Sequence, residues 1–145
     1  LEEWLIKLAE YSEETPLNFI EWNDKKIGIV TAGAAYQYAR EVFGKTASYL
    51  KIGFSNPLPM KKIKEFAAQV ETLYVIEELE PFMEDQIRAA GIKCIGKDKI
   101  PNTGELSPTV VARALLGVEP DMVKVDADAV GPPPTTCAGC PHRGF

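Results

Sequence analysis

Three cysteines in 145 residues make no even disulfide framework. A chain so equipped suits a reducing interior, so the expected location is the cytoplasm. No apolar run approaches the roughly 18 residues a membrane span requires, and the start, Leu1-Glu2-Glu3-Trp4, has neither an initiator Met nor the look of a signal peptide. Positive charge is also short. Sixteen Lys and Arg stand against 21 Asp and Glu, a net charge of -5, which argues against nucleic acid and against anionic membrane surfaces as partners. No internal repeat is present.

What remains is ordinary globular material. A hydrophobic fraction of 46% and a charged fraction of 26% suit a soluble domain, and a chain of this length buries roughly two-thirds of its unfolded surface without covalent staples. Leu1, Trp4, Leu5 and Leu8 recur at helical spacing, with Glu2, Glu3, Lys7 and Glu10 on the other face, predicting an amphipathic helix that stops at Thr15-Pro16. Phe19-Ile20-Glu21-Trp22 reads as a short strand followed by the polar turn Asn23-Asp24-Lys25-Lys26.

From residue 27 a rhythm sets in. The apolar runs Ile27-Gly28-Ile29-Val30-Thr31, Ser48-Tyr49-Leu50-Lys51-Ile52-Gly53, Thr72-Leu73-Tyr74-Val75-Ile76 and Ile92-Lys93-Cys94-Ile95 alternate with helical stretches over residues 34–43, 60–70, 81–91 and 107–117. Gly44, Gly91 and Gly117 sit where helices should close, with Arg40, Arg88 and Arg113 just before them to oppose the negative helix end. Ser107-Pro108 offers a capping hydroxyl and a proline whose missing N–H is not needed. Runs apolar on both faces belong to strands covered on both sides. The predicted fold is therefore α/β, a three-layer α/β/α sandwich on a mostly parallel sheet. After Val118 the composition changes: aspartates alternate with apolar residues, then Gly131-Pro132-Pro133-Pro134 forms a stiff connector. The expected division is a domain over 1–120, a linker over 121–134, and the start of a severed neighbour over 135–145.

The sharpest chemical feature is Cys137-Ala138-Gly139-Cys140-Pro141-His142-Arg143-Gly144. Two cysteines three apart can turn toward one metal or cluster. Zinc needs two further ligands; His142 could be one, but Cys94 lies in a predicted buried strand, as an inert small residue. Pro141 breaks the haem-attachment spacing, and a thioredoxin-type pair belongs at a strand-to-helix junction. An iron–sulfur half-site completed elsewhere fits best, against a loop with two incidental thiols. Thr31-Ala32-Gly33-Ala34 could hold an anion at a helix start, but it lacks both Gly-x-Gly-x-x-Gly and the Gly-Lys-Ser/Thr loop, so a close strand-to-helix turn is the simpler account. Glu77-Glu78-Leu79-Glu80 lies at a strand's C-terminal end, where ligands and partners gather, or is a solvated loop placing charge at the next helix start. Tyr36 and Tyr38 stand two apart on a helix, so both are not expected to face the core, and one is free to meet a partner.

Three strings together carry a resemblance: Gly28-Ile29-Val30-Thr31-Ala32-Gly33-Ala34-Ala35-Tyr36, Val75-Ile76-Glu77-Glu78-Leu79-Glu80-Pro81, and the Cys137 to Gly144 motif after its proline run. They look like the α subunits of indolepyruvate:ferredoxin oxidoreductases, within the thiamine diphosphate-dependent 2-oxoacid:ferredoxin oxidoreductases. The resemblance implies a domain similar to the C-terminal domain of transketolase, with five strands in the order 1-3-2-4-5 and the first antiparallel. Locally, the first two strands read as a hairpin; the family order separates them, and it is adopted because four polar residues also permit a crossing connection.

The resemblance further implies an enzyme that decarboxylates an aryl 2-oxoacid, passes electrons through iron–sulfur clusters to ferredoxin and gives the acyl group to coenzyme A. It implies thiamine diphosphate and magnesium in the whole enzyme and none in this piece, which has no catalytic residue of its own. It lacks the Gly-Asp-Gly motif and the cysteine-rich ferredoxin-like tail. The partners implied are the remaining domains of the subunit and a second (β) subunit. Cys137 and Cys140 become candidate cluster ligands, or line the cofactor entrance; His142, Arg143 and Gly144 are placed near thiamine diphosphate; Gly33, Tyr36, Glu77 and Glu78 are placed at domain contacts. The alternatives are another 2-oxoacid oxidoreductase or transketolase-like enzyme, and a free-standing module for a small anion or a protein.

Overall fold

Successive side chains of a strand leave opposite faces of the sheet, so continuous apolar runs must supply two cores. A computed structural model of the protein describes residues 2–121 and shows both. The elements are α1 (Glu2–Glu14), β1 (Phe19–Glu21), β2 (Ile27–Ala32), α2 (Ala35–Phe43), a 3-10 turn (Gly44–Thr46), β3 (Ser48–Ile52), α3 (Met60–Ala67), β4 (Thr72–Ile76), α4 (Phe82–Ala89) and α5 (Pro108–Leu116). Ile29, Tyr49 and Ile76 meet Ala39 and Phe43 of α2 and Val111 of α5 on one face. Val30, Leu50 and Val75 meet Ile63 and Phe66 of α3 and Ile87 of α4 on the other. The expected three-layer sandwich is present.

The sheet runs β1-β3-β2-β4. β2 pairs in parallel with β3 and with β4, while β1 is antiparallel to β3, with Phe19 opposite Lys51. No hairpin joins β1 to β2, and the order adopted from the family holds. The fifth strand is reduced to one parallel bridge, Tyr74 to Ile95, made by Val75 N–H donating to Ile95 O and Ile95 N–H donating to Leu73 O, each at 2.9 Å. The next free amide is diverted: Lys97 N–H donates to Glu84 Oε2 at 2.8 Å. Gly96 lies so close to that carboxylate that a Cβ there would fall 2.4 Å from the same oxygen. The chain turns toward α4 where a strand would continue.

Helix boundaries follow the capping logic most closely at α5. Ser107 Oγ accepts from Val110 N–H at 3.3 Å, Pro108 occupies the first turn, and Gly117 closes the helix by donating to Arg113 O. The first helix forms as its periodicity predicts, yet its apolar stripe stays uncovered among the described residues: Trp4 is 68% exposed, and Leu5 and Leu8 are also open. α1 is fastened by its C-terminal end instead. Ser12 Oγ donates to Pro57 O at 2.7 Å, and the Glu13 carboxylate accepts from Lys61 and Lys62 N–H at 2.8 and 2.9 Å, where α3 begins and its amides lack helical partners.

Candidate functional site

Because β2, β3 and β4 run parallel, their C-terminal ends share one edge of the sheet, and antiparallel β1 starts from the same edge. Asn18 ties this edge together from a buried position. Its Oδ1 accepts from Gly53 and Phe54 N–H, both at 2.8 Å. Its Nδ2 donates to Ser12 O and Phe54 O, both at 2.9 Å. Side-chain amides are the one group that can serve two donors and two acceptors at once.

At the β2–α2 turn, Gly33 is exposed with φ at +57°, and α2 starts without a side-chain cap. The Thr31 hydroxyl just before it is buried without a hydrogen-bond partner among the described residues. Tyr36 is enclosed. Its hydroxyl donates to Glu21 Oε2 at 2.9 Å, its ring meets Phe19 and Tyr49 edge-on, each at 6.0 Å, and the Arg40 guanidinium lies 5.6 Å from its centre. Burial, then the Glu21 carboxylate, raises the Tyr36 phenol; burial pushes Tyr49 up to about 12. Both phenols keep their protons at neutral pH. Tyr38 is half-buried against the same cluster, so the two tyrosines both touch the core, which α2 can accommodate because it packs on the sheet and on α5.

At the β4–α4 turn, Glu77 points inward. Oε2 accepts from Met83 N–H at 2.8 Å and Oε1 from Glu84 N–H at 2.9 Å, capping the first turn of α4. Lys97 Nζ donates to Glu77 O at 2.8 Å. Glu84, also buried, meets Arg88 at 2.7 Å through Oε1, an ion contact without hydrogen-bond geometry. Glu78 is exposed, as are Leu79 and Phe82. Of the four residues assigned to a domain contact, then, Tyr36 and Glu77 have their polar groups occupied inside this chain, while Gly33 and Glu78 are open.

Burial pushes the Glu77 carboxyl above its ordinary value of 4.5, against the pull of the two amides and Lys97 and with the charge of Glu84 adding to the rise. A carboxyl with a raised folded pKa takes up a proton on folding. Its contribution to stability is therefore complete below the unfolded value and lost as pH rises through the folded one. Glu77→Gln is expected to flatten this dependence. Urea unfolding across a pH series should show the difference, wild type minus variant, falling as pH rises above 4.5; a difference that rises or stays level would contradict it.

Cys94 is half-buried, packed against the α3–α4 core cluster, and burial pushes its thiol up. Among the described residues no group of three or more His, Cys, Asp or Glu could hold a metal ion. Cys137, Cys140, His142, Arg143 and Gly144 lie outside the described residues. Sequence reasoning missed two things at this edge. Asn18 looks like a loop residue after Pro16. Leu79 looks incidental between two glutamates, although an apolar residue flanked by acids and followed by proline was the available signal.

No protein-family model matches the chain. Among curated proteins, indolepyruvate oxidoreductase subunit IorA of Archaeoglobus fulgidus is 32% identical over 97% of this chain and 25% of its own length. The same subunit of Pyrococcus horikoshii is 31% identical over 97% of this chain and 26% of its own; that of Methanothermobacter marburgensis is 30% identical over 100% and 26%. Over this segment the chain belongs to the IorA family. It spans about a quarter of the length of the curated relatives it matches. Among solved structures, a 2-oxoglutarate:ferredoxin oxidoreductase from Magnetococcus marinus superposes at TM-score 0.49 and 20% identity, over 57% of this chain and 16% of that one, a likeness too slight to bear on function. Within the IorA segment, the open part of the sheet's C-terminal edge includes Gly33, Glu78, Leu79 and Phe82. No helix among the described residues is long and apolar enough to cross a membrane.

Proposed function

We propose that this chain is an assembly-type domain of an indolepyruvate oxidoreductase, packing against the catalytic parts of its subunit rather than performing chemistry. The observation that carries this reading is the match to IorA subunits at 30–32% identity across nearly the whole chain but only a quarter of theirs. The whole enzyme oxidatively decarboxylates aryl 2-oxoacids such as indolepyruvate, coenzyme A takes the acyl group, and ferredoxin takes the electrons. A second (β) subunit is its partner, and the cytoplasm its location. The domain covers residues 1–120, the linker 121–134, and the following domain begins at 135. Cys137 and Cys140 are its candidate cluster ligands and His142, Arg143 and Gly144 approach thiamine diphosphate.

Thiamine diphosphate supplies carbanion chemistry where it is bound, and its magnesium calls for a cluster of oxygen ligands. Residues 2–121 do not fit that group. They bring together no group of three or more His, Cys, Asp or Glu that could hold a metal ion, and the buried carboxylates of Glu77 and Glu84 are engaged by backbone amides, Glu84 also by Arg88. No step of the reaction is therefore derived through this domain.

The 145-residue chain, supplied with indolepyruvate, coenzyme A, thiamine diphosphate and magnesium, is expected to show no turnover and no tight cofactor binding by calorimetry. The complete subunit, prepared without oxygen together with its β partner, is expected to reduce ferredoxin with indolepyruvate. Turnover by the 145 residues alone, or none by the complete enzyme, would sink the proposal.

A further inference from the structure

We propose that the β4–α4 loop is a docking knob, with Leu79 and Phe82 as its apolar anchors, for an apolar patch ringed by Lys and Arg elsewhere in the same subunit. This rests on the assembly reading above and adds the residues and the chemistry of the partner surface.

Leu79 is the one non-glycine residue with positive φ among those described, at +50°. A side chain in that left-handed conformation crowds its own backbone, and strain of this kind persists only where surroundings impose it. No burial among the described residues offsets the cost, since Leu79 is 64% exposed. Phe82, three residues on, is 51% exposed. The surroundings that impose the conformation are visible: Glu77 grips the Met83 and Glu84 amides, Lys97 Nζ grips Glu77 O, and Phe82 N–H donates to Glu80 O at 2.8 Å. The two apolar side chains are thus presented by a fixed base, and an anchor already held in its bound form loses little freedom on docking.

Charge selects the partner. Glu78 and Glu80 flank Leu79, both exposed and neither in an ion pair among the described residues. A second copy would bring like charges together around the same anchors, which disfavours self-pairing. A patch with an apolar centre and a cationic rim satisfies both features. The relatives extend well beyond this segment, which covers a quarter of their length, so the same subunit has chain enough to supply it.

Amide hydrogen exchange of residues 78–82, compared between the complete subunit and the 145-residue chain, tests the contact. Protection about tenfold or more is expected in the complete subunit, diminished by high salt and by Glu78→Lys with Glu80→Lys. Leu79→Gly gives the discriminating result. It relieves the left-handed strain, so the 145-residue chain should melt at the same or a higher temperature, yet protection in the complete subunit should be lost. Equal exchange in the two contexts, or protection untouched by Leu79→Gly, overturns the proposal. So does sedimentation showing a dimer of the 145-residue chain that Leu79→Gly abolishes, since the occupant is then a second copy. A complete subunit that oxidises indolepyruvate without protection at 78–82 removes this contact and leaves the assembly reading intact; protection in a protein without that activity does the reverse.

Discussion

Asn18→Asp is expected to cost the fold about 3–5 kcal/mol near neutral pH, because one nearly isosteric change undoes both halves of a buried clip. Oδ1 would keep the Gly53 and Phe54 amides. The oxygen replacing Nδ2, however, would face the carbonyls of Ser12 and Phe54 at the 2.9 Å now spanned by donated hydrogens. Two acceptors lose their donor and a negative charge is brought against them out of water. Acidification should recover part of the loss, since the introduced carboxyl then regains one hydrogen to donate. Urea midpoints at neutral and acid pH check both statements; a neutral-pH loss below about 1 kcal/mol, the size of a single ordinary hydrogen bond, would mean that the clip does not hold this edge.

Gly53→Ala is expected to cost about 2–3 kcal/mol for a different reason, steric overpacking. A Cβ on Gly53 would fall 2.6 Å from the Leu17 carbonyl oxygen and 3.0 Å from the Leu17 Cβ. The first contact is with backbone, so no rotamer change relieves it; the segment preceding β1 must draw away from the end of β3. That same movement pulls Asn18 from the Gly53 amide. The two substitutions act by different means on the same clip, one through its Nδ2 contacts and the other through its Oδ1 contact to Gly53, so the double variant should lose less than the sum of the single losses. Additive losses in chemical denaturation would place the two effects in separate contacts.

Much of this architecture is readable from residue patterns, and the exceptions have physical causes. Strands β2, β3 and β4 follow from runs apolar on both faces, and α5 from Ser107, Pro108 and Gly117, because these signals are local. Pairing is not local. Phe19-Ile20-Glu21 carries nothing that says it will lie beside β3 rather than β2; only the family order supplied that. Ile92-Lys93-Cys94-Ile95 has a strand's composition but makes one bridge, since Glu84 on another element takes the amide of Lys97. At the candidate site, Glu77-Glu78-Leu79-Glu80 reads either as a partner-facing strand end or as a solvated loop placing charge at the next helix start; Glu77 turns inward and caps that helix start, while Glu78 and Glu80 lie exposed. The left-handed turn at Leu79 is a torsion forced by contacts on both sides, which composition does not record. The stripe on α1 announces a helix correctly, while its exposure depends on what surrounds it.

The two rims of the sheet have a consequence for how this domain can associate. A sheet recruits another chain most readily through a long, flat, unpaired outer strand. Here one margin is β1, three residues long, and the other is guarded at β4 by the Ile95 bridge and the turn toward Glu84. Neither gives an incoming strand a ladder of any length. The domain is closed to growth sideways, so neighbours must reach it across helix surfaces or at the strand ends, by side chains rather than by shared backbone.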